Sequence, residues 1–293
     1  MKLFKFQKTF IGKANPHKGE HELLQDQTLK EKIHQANVTV HGLEAQYYEQ
    51  LHPEVYSKQE QKRITAKLQL IEKLMTCNHK TALDVGAGTG NLTGKLLQMG
   101  YIVTAVDISA EMCEILKRKY ATFVQSKKLT VVCSPIEELD FEAGRFDLIT
   151  CYSVMHHLPD YVGAIRCLSA FLKKGGVIYI DHEASPFYWK NEPSLLASLV
   201  KGVYLHSNPL LNSFYFQITG LRIPSIDYEL SDYWHKKEHA LDHGRIERVF
   251  KEEDYTFSAR TDYFETSSWI PNPLSLTYRL LCSPEMSCWI ARK

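Results

Sequence analysis

The spacing of apolar positions changes its period several times along this chain. Val38 to His52 carries leucines and aromatics at near-helical spacing until Pro53 interrupts it. Ser57 to Thr76 predicts a clearer amphipathic helix, with Ile64, Leu68, Ile71 and Leu74 on one face. Short apolar runs then alternate with helical ones. Ala82–Val85, Ile102–Val106, Leu129–Cys133, Phe146–Cys151 and Val177–Asp181 read as strands. Asn91–Met99, Ala110–Tyr120 and Tyr161–Leu172 read as helices, the last closed by Lys173-Lys174-Gly175-Gly176 with glycine as its stop. Such alternation implies an α/β fold, a doubly wound and mostly parallel sheet covered on both faces. Ligands of such sheets bind at the carboxyl ends of the strands. Here those ends are Gly86, Asp107, Ser134-Pro135, Cys151-Tyr152 and Asp181-His182.

Four regions follow from the pattern: a leader and helical cap over 1–80, a core over 81–182, an inserted lid over 183–237 and a completion of the core over 238–293. Residues 1–37 are polar and lysine-bearing, with patchy helical periodicity around Glu20 to Ile33; they read as a loosely docked leader or a contact surface. From Glu183 to about Lys237 the alternation fails, and aromatics, prolines and serines follow directly on a strand's carboxyl end. A long excursion at that position suits a lid or substrate pocket. Afterwards Glu238–Lys251 reads as a helix, and Thr261–Trp269 and Met286–Ala291 as strands.

Composition removes several function classes. The 293 residues carry a net charge of +1, with no clustered basic face of the kind a phosphate backbone selects, so no nucleic-acid partner is expected. The seven cysteines lie apart without a C-x-x-C pair, which suggests neither a zinc knuckle nor a disulfide framework and fits a reducing compartment. No stretch approaches a membrane span, and the basic start lacks a signal-peptide core. The expected location is the cytoplasm. The oligomeric state is left open.

Chemistry concentrates at Asp84-Val85-Gly86-Ala87-Gly88-Thr89-Gly90, a strand, a glycine turn and a helix start. Glycines there permit a tight turn and close approach of a ligand to the backbone, with free helix N–H groups pointing into the same space. A dinucleotide fingerprint would place its third glycine three residues after the second, and a phosphate loop would need Gly-Lys-Ser/Thr; neither is present. Asp107 ends the second strand about 20 residues on, the position from which a carboxylate takes ribose hydroxyls. Asp84 could face the amino group of an amino-acid tail. Together they favour a ligand that is half nucleoside and half amino acid.

The motifs LDVGAGTG, VTAVDIS, RFDLITCYSVMHHLPD and LKKGGVIYI, in this order, resemble those of class I S-adenosylmethionine-dependent methyltransferases. They look most like the small-molecule and lipid branch that includes the ubiquinone and menaquinone enzymes. The resemblance is strong over 81–182, weaker over 238–293 and uninformative elsewhere. It implies a Rossmann-like sheet of seven strands ending in a hairpin, with S-adenosylmethionine as cofactor and S-adenosylhomocysteine as product. It implies cofactor contacts from Asp84, Gly86, Ala87, Gly88, Thr89, Gly90, Asp107, Ile108 and Met112, and from Ile136, Glu137, Cys151 and Tyr152. Where the family often has an aspartate for the adenine amino group, this chain has Ser134-Pro135; the Ile136 N–H or the Glu137 side chain would serve instead.

A sulfonium methyl is already activated, so catalysis rests mainly on alignment in a dry site, with a base needed only for an acceptor that must lose a proton. Candidate proton-transfer groups are Tyr152, His156, His157 and His235. Tyr47, Tyr48 and His52 are candidate lid residues by resemblance, and Tyr204, His206, Tyr215, Tyr233, Trp234 and His239 are candidates from the insertion. Each has packing as its plain alternative. No compact set of metal ligands is visible in the sequence. The expected function is methyl transfer to a small apolar or aromatic acceptor. The alternatives are a non-catalytic cofactor-binding sensor and a methyltransferase acting on protein or RNA.

Overall fold

The computed structural model describes residues 27–77, 79–188, 225–236, 241–264 and 283–293. Among the described residues, helices α1 (Gln27–Glu44), α2 (Tyr48–Leu51) and α3 (Lys58–Leu74) come first. β1 (Thr81–Val85), α4 (Asn91–Gln98), β2 (Ile102–Asp107), α5 (Ala110–Lys119), α6 (Ala121–Gln125) and β3 (Leu129–Cys133) follow. Then come β4 (Phe146–Tyr152), α7 (Tyr161–Phe171), β5 (Leu172–Ala184), α8 (Ser225–Ser231), α9 (Tyr233–Lys236), α10 (His243–Glu252), β6 (Phe257–Tyr263) and β7 (Met286–Arg292). Short 3₁₀ turns lie at Ile136–Glu138 and Met155–His157.

Seven strands form one sheet in the order β3-β2-β1-β4-β5-β7-β6. Pairing is parallel from β3 to β5, and β7 enters antiparallel between β5 and β6. The reversal of order between β1 and β4 opens a crevice at their carboxyl ends, where a ligand fits. The central strands are apolar on both sides because helices cover both faces. One face packs Ile149, Ile178 and Trp289 against Ile165 and Phe250; the other packs Val103, Leu148 and Tyr179 against Ile64, Leu68 and Leu96. Helix starts are fixed locally: Ser57 accepts from the Glu60 N–H, Ser109 from Met112, Asp160 from Gly163 and Asp242 from Arg245.

Three expectations need correction. The Lys173-Lys174-Gly175-Gly176 segment is not a helix stop but the start of β5, since Leu172 is already extended and pairs with Phe146. Gly175 sits at φ +80°, where the strand pairing shifts register, and its N–H donates to the Lys293 carbonyl at 2.7 Å. A bulge glycine and a capping glycine use the same backbone freedom, so the residue alone does not separate them. Second, the leader is docked from Gln27 onward: α1 buries Ile33, Ala36, Asn37 and Val40 and ends at Glu44 rather than continuing to His52. Third, β6 begins at Phe257, ahead of the expected Thr261; the end of that expected strand and the start of the Glu238 helix lie outside the described residues.

Candidate functional site

The glycine turn has the geometry its sequence demands. Gly86 adopts φ +61° and sits so tightly that an added Cβ would come within 2.5 Å of Val154 Cγ2. Gly88 adopts φ +52°, yet an added Cβ there would meet nothing within 4 Å. It borders open space, the arrangement expected where a ligand passes close to the backbone. The Ala87 N–H donates to the Val106 carbonyl at 3.0 Å and ties the turn to β2. Gly90 precedes α4 as its N-cap and is packed on Leu116 and Tyr120, off the wall of the cleft.

Two adjoining cavities lie over these strand ends. The larger, about 740 Å³ counted out to solvent, is lined by Gly86, Gly88, Asp107, Ile108, Met112, Ile136, Glu137 and Tyr152 among others. The smaller, about 360 Å³, is lined by Asp84, Gly86, Ala87, Gly88, Thr89 and Tyr152. Of the expected cofactor residues, only Gly90 and Cys151 lie off both walls. The Cys151 side chain is fully buried in β4, where burial pushes its thiol well above the usual range. Tyr48, Gly86, Gly88 and Tyr152 border both cavities and mark the neck between them.

Each cavity holds one aspartate. Asp107 accepts from the Gly88 N–H at 2.8 Å and from the Ser109 N–H at 2.9 Å. Burial, working against those bonds, pushes its carboxyl above the usual range. Asp84 accepts from the Thr93 hydroxyl at 2.5 Å and the Thr150 hydroxyl at 2.7 Å. Burial outweighs both hydroxyls and pushes this carboxyl up to about 6.

The roof comes from the N-terminal helices. His34, Asn37 and His41, spaced along one face of α1, line the larger cavity. His34 Nε2 lies 3.4 Å from Glu137 Oε1. Tyr56 and Thr89 share a hydrogen bond at 3.0 Å, and the Thr89 hydroxyl donates to Glu49 at 3.2 Å. Of the expected lid residues, Tyr48 lines the cleft; burial, reinforced by the nearby Tyr56 and Glu44, keeps its phenol protonated. His52 instead lies between Glu44 and Glu54. Burial pulls its pKa down, but hydrogen bonds to those two carboxylates prevail and raise it to about 9.

The proton-transfer candidates separate. The Tyr152 hydroxyl is committed to Glu60 at 2.7 Å, so only its ring, stacked on His182, faces the cleft. His156 is behind the wall: its Nδ1–H donates to Glu183 at 2.7 Å. His157 lines the larger cavity, with its Nδ1–H donating to the Ser231 carbonyl. His235 lies on α9, but its side chain is outside the described residues, as are Tyr204, His206, Tyr215 and His239. Trp234 is core packing: its indole N–H donates to the Leu158 carbonyl at 2.8 Å and its ring meets Tyr161 edge-on. Tyr233, 9 % exposed, packs edge-on against Trp234.

Several residues that shape the site carried no local sequence signal. Glu183, fully buried, accepts from the Val154 and Met155 N–H groups at 2.9 and 2.8 Å as well as from His156, and so holds the turn after β4. Arg63 bridges Glu60 and Asp181 at 2.6 and 2.7 Å and covers the Tyr263 ring. His156, His157 and Asp232 each offer a donor atom within 4.8 Å of the others. Nothing in the spacing of these three along the sequence announces that meeting, and it qualifies the expectation that no ligand set assembles.

A mostly parallel sheet in this order, with an antiparallel penultimate strand, a glycine turn after β1 and a carboxylate ending β2, has the Rossmann-like fold of class I methyltransferases. Residues 83–180 match the family described as "Methyltransferase domain". The chain is 36% identical over 115 residues to a ubiquinone biosynthesis O-methyltransferase of Coxiella burnetii, and 33% identical over 105 residues to one of Haemophilus ducreyi. These matches cover 39% and 35% of this chain and 48% and 44% of the relatives, so the chain spans about half the length of the curated relatives it matches. A S-adenosylmethionine-dependent methyltransferase from Archaeoglobus fulgidus has the same fold at a TM-score of 0.51, with 16% identity over 84% of this chain and 100% of that one.

Proposed function

We propose that this protein transfers the methyl group of S-adenosylmethionine to a small acceptor held against the neck between the two cavities. The observation that carries the reading is the pair of aspartates on one glycine turn. Asp107 suits a ribose diol, and Asp84, one cavity away, suits the ammonium of an amino-acid tail. Gly88, bordering open space, provides the close approach between them. Ile108, Met112 and Ile136 supply an apolar bed for the base.

When bound, the cofactor supplies an activated methyl on a sulfonium. The contribution of the chain is position and exclusion of water. Tyr48 and Tyr152 border both cavities, so their rings stand where the cation would lie and face it with aromatic surface. Tyr152 is held in place by Glu60 and His182, which makes it a rigid wall rather than a proton carrier. The acceptor class is inferred from the relatives, whose names denote oxygen methylation in ubiquinone biosynthesis: a hydroxyl on a small, largely apolar molecule. Among the candidate histidines whose side chains are described, His157 is the one on the cleft wall, held there by its Nδ1–H bond to the Ser231 carbonyl. His156 acts only through the wall.

Calorimetric titration of S-adenosylmethionine and S-adenosylhomocysteine tests the reading. Binding by the wild type at micromolar strength, weakened about 100-fold or more in Asp107→Ala, is expected from the loss of a charge-assisted pair of hydrogen bonds. Absence of binding by the wild type overturns the assignment. Acceptors are then screened among phenolic and quinol-like hydroxyl compounds.

A further inference from the structure

Two cysteines meet where β2 and β3 end. Cys113, on α5, is 1 % exposed, whereas Cys133, the last residue of β3, is open to solvent. The Cys113 sulfur lies 3.7 Å from the Asp107 carbonyl and 3.8 Å from the Val132 carbonyl. The Cys133 sulfur lies 3.8 Å from the Ile108 carbonyl. The two thiols therefore rest on consecutive carbonyls, 107 and 108, and share a hydrogen-bond contact with each other. The backbone around them is tied down. Asp107 and Cys133 are register partners, the Ser134 N–H donates to the Asp107 carbonyl at 3.0 Å, and the Cys113 N–H donates to the Ser109 carbonyl at 3.1 Å. Two thiols held in contact, one reached by water and the other shielded, have the arrangement of an attacking and a resolving cysteine.

Exposure and charge set the order of events. Burial, the Asp107 carboxylate and the neighbouring Cys133 push the Cys113 thiol up to about 12, against the pull of Lys117 one helical turn along. Cys113 is thus held as the thiol, out of reach of dissolved oxidants, and oxidation begins at Cys133. The pair also flanks the cleft. Met112, next to Cys113, and Ser134, next to Cys133, line the larger cavity together with Asp107 and Ile108, whose carbonyls seat the two sulfurs. A disulfide is about 2 Å long, shorter than any thiol–thiol hydrogen bond, so forming one draws α5 and the end of β3 together. That movement reshapes the part of the cavity where Ile108, Met112 and Ile136 would bed the base.

We propose that Cys113 and Cys133 are a peroxide-sensing dithiol, and that the disulfide they form lowers the affinity of the adjoining cleft for its cofactor. The consequence for affinity rests on the cofactor reading above; the pairing of the thiols does not. The oxidant is a hydroperoxide. The Cys133 sulfur attacks one peroxide oxygen, an S–O bond forms, the O–O bond breaks, and the other oxygen leaves as water or an alcohol with the thiol's proton. Cys133 is then a neutral sulfenic acid, and its charge no longer helps to keep Cys113 protonated. The Cys113 sulfur attacks the Cys133 sulfur, the S–S bond forms, the S–O bond breaks, and the leaving hydroxide takes the Cys113 proton as water. Overall the two thiols give up two hydrogens and two electrons, and the peroxide is reduced. Exchange with a small thiol restores the starting pair.

The test uses the full chain, reduced or treated with hydrogen peroxide, with peptide mass mapping of the cysteines and calorimetric titration of S-adenosylhomocysteine. Expected after peroxide are a peptide pair linked through Cys113 and Cys133 and an affinity about tenfold weaker, both reversed by dithiothreitol. In Cys133→Ser, a change at an exposed position, the affinity is expected to match that of reduced wild type before and after peroxide. Peroxide that leaves both thiols free, or carries Cys133 to a sulfinic acid with no link to Cys113, overturns the proposal. So does a link from either residue to another cysteine. A Cys113–Cys133 link that leaves affinity unchanged also overturns it, and an equal loss of affinity in Cys133→Ser overturns it in favour of oxidation elsewhere. Reduced wild type that yields the link on oxidation but binds no S-adenosylhomocysteine removes the cofactor reading and upholds the thiol pairing, which keeps the two failures apart.

Discussion

Two aspartates on neighbouring strands, both buried, are treated in opposite ways by the same sheet. Asp147 opens β4 at the amino edge, fully buried, and Asp84 lies near the carboxyl end of β1, 2 % exposed. Burial raises both. Around Asp147 the Thr81 hydroxyl at 2.5 Å, the Thr81 N–H at 2.9 Å and the Lys173 ammonium at 3.2 Å outweigh it, and the carboxyl is held well below the usual range. Around Asp84 two hydroxyls do not suffice, and the carboxyl is pushed up to about 6. The amino edge satisfies its charge internally and is built for stability. The carboxyl edge offers Asp84 only hydroxyl donors, which suits the proposed role of meeting a ligand's ammonium group.

The contrast is open to direct attack. Asp147→Ala leaves Lys173 and the Thr81 donors without their acceptor, and is expected to remove about 3 kcal/mol of unfolding free energy in urea titration while cofactor affinity stays unchanged. Asp84→Asn is expected to do the reverse: unchanged or higher stability without ligand, and cofactor affinity lower by about 30-fold, or about 2 kcal/mol.

The pH dependence of that pair has a definite sign. A folded-state pKa of about 6 lies above the unfolded carboxyl, so the native chain binds the proton more readily. The contribution of Asp84 to stability is therefore present in acid and lost as pH rises through about 6. Cofactor binding runs the other way, weakening as pH falls through about 6 in wild type but not in Asp84→Asn. Asp147 has a depressed carboxyl, so its contribution is present above the unfolded pKa and is lost only on acidification. The smallest effect belongs to the roof: Tyr56→Phe, which loses one hydrogen bond to Thr89, is expected to weaken cofactor binding about threefold with little change in melting temperature.

The floor of the cleft was legible because its determinants are local. Gly86, Gly88 and Asp107 sit on a strand, a turn and a strand end, and each signal is read within a few residues. The roof was not. Helix α1 is polar over much of its length, and its buried positions make sense only against β-strand ends more than a hundred residues away, as the bond from Asn37 to His157 illustrates. Glu183 escaped notice for the same reason: a glutamate at a strand end is ordinary until the turn after β4 is seen wrapped around it. Tyr152 and His156 carry side chains suited to proton transfer, but their polar atoms are spent on Glu60 and Glu183. Residue type reveals which chemistry is available, whereas partners reveal whether it is already in use.

The strand order has a consequence for how the chain is made. β6 leaves the ribosome before β7, yet its pairing in the sheet is with β7, which occupies the place between β5 and β6. Until β7 emerges, β5 presents an open edge and β6 is a strand without its ladder. The parallel strands that carry Asp84 and Asp107 can assemble earlier, and the far side of the sheet closes as a late, long-range event. A nascent chain arrested before Met286 therefore exposes two unpaired edges at once, the form in which such a protein is most prone to aggregate or to be held by a chaperone.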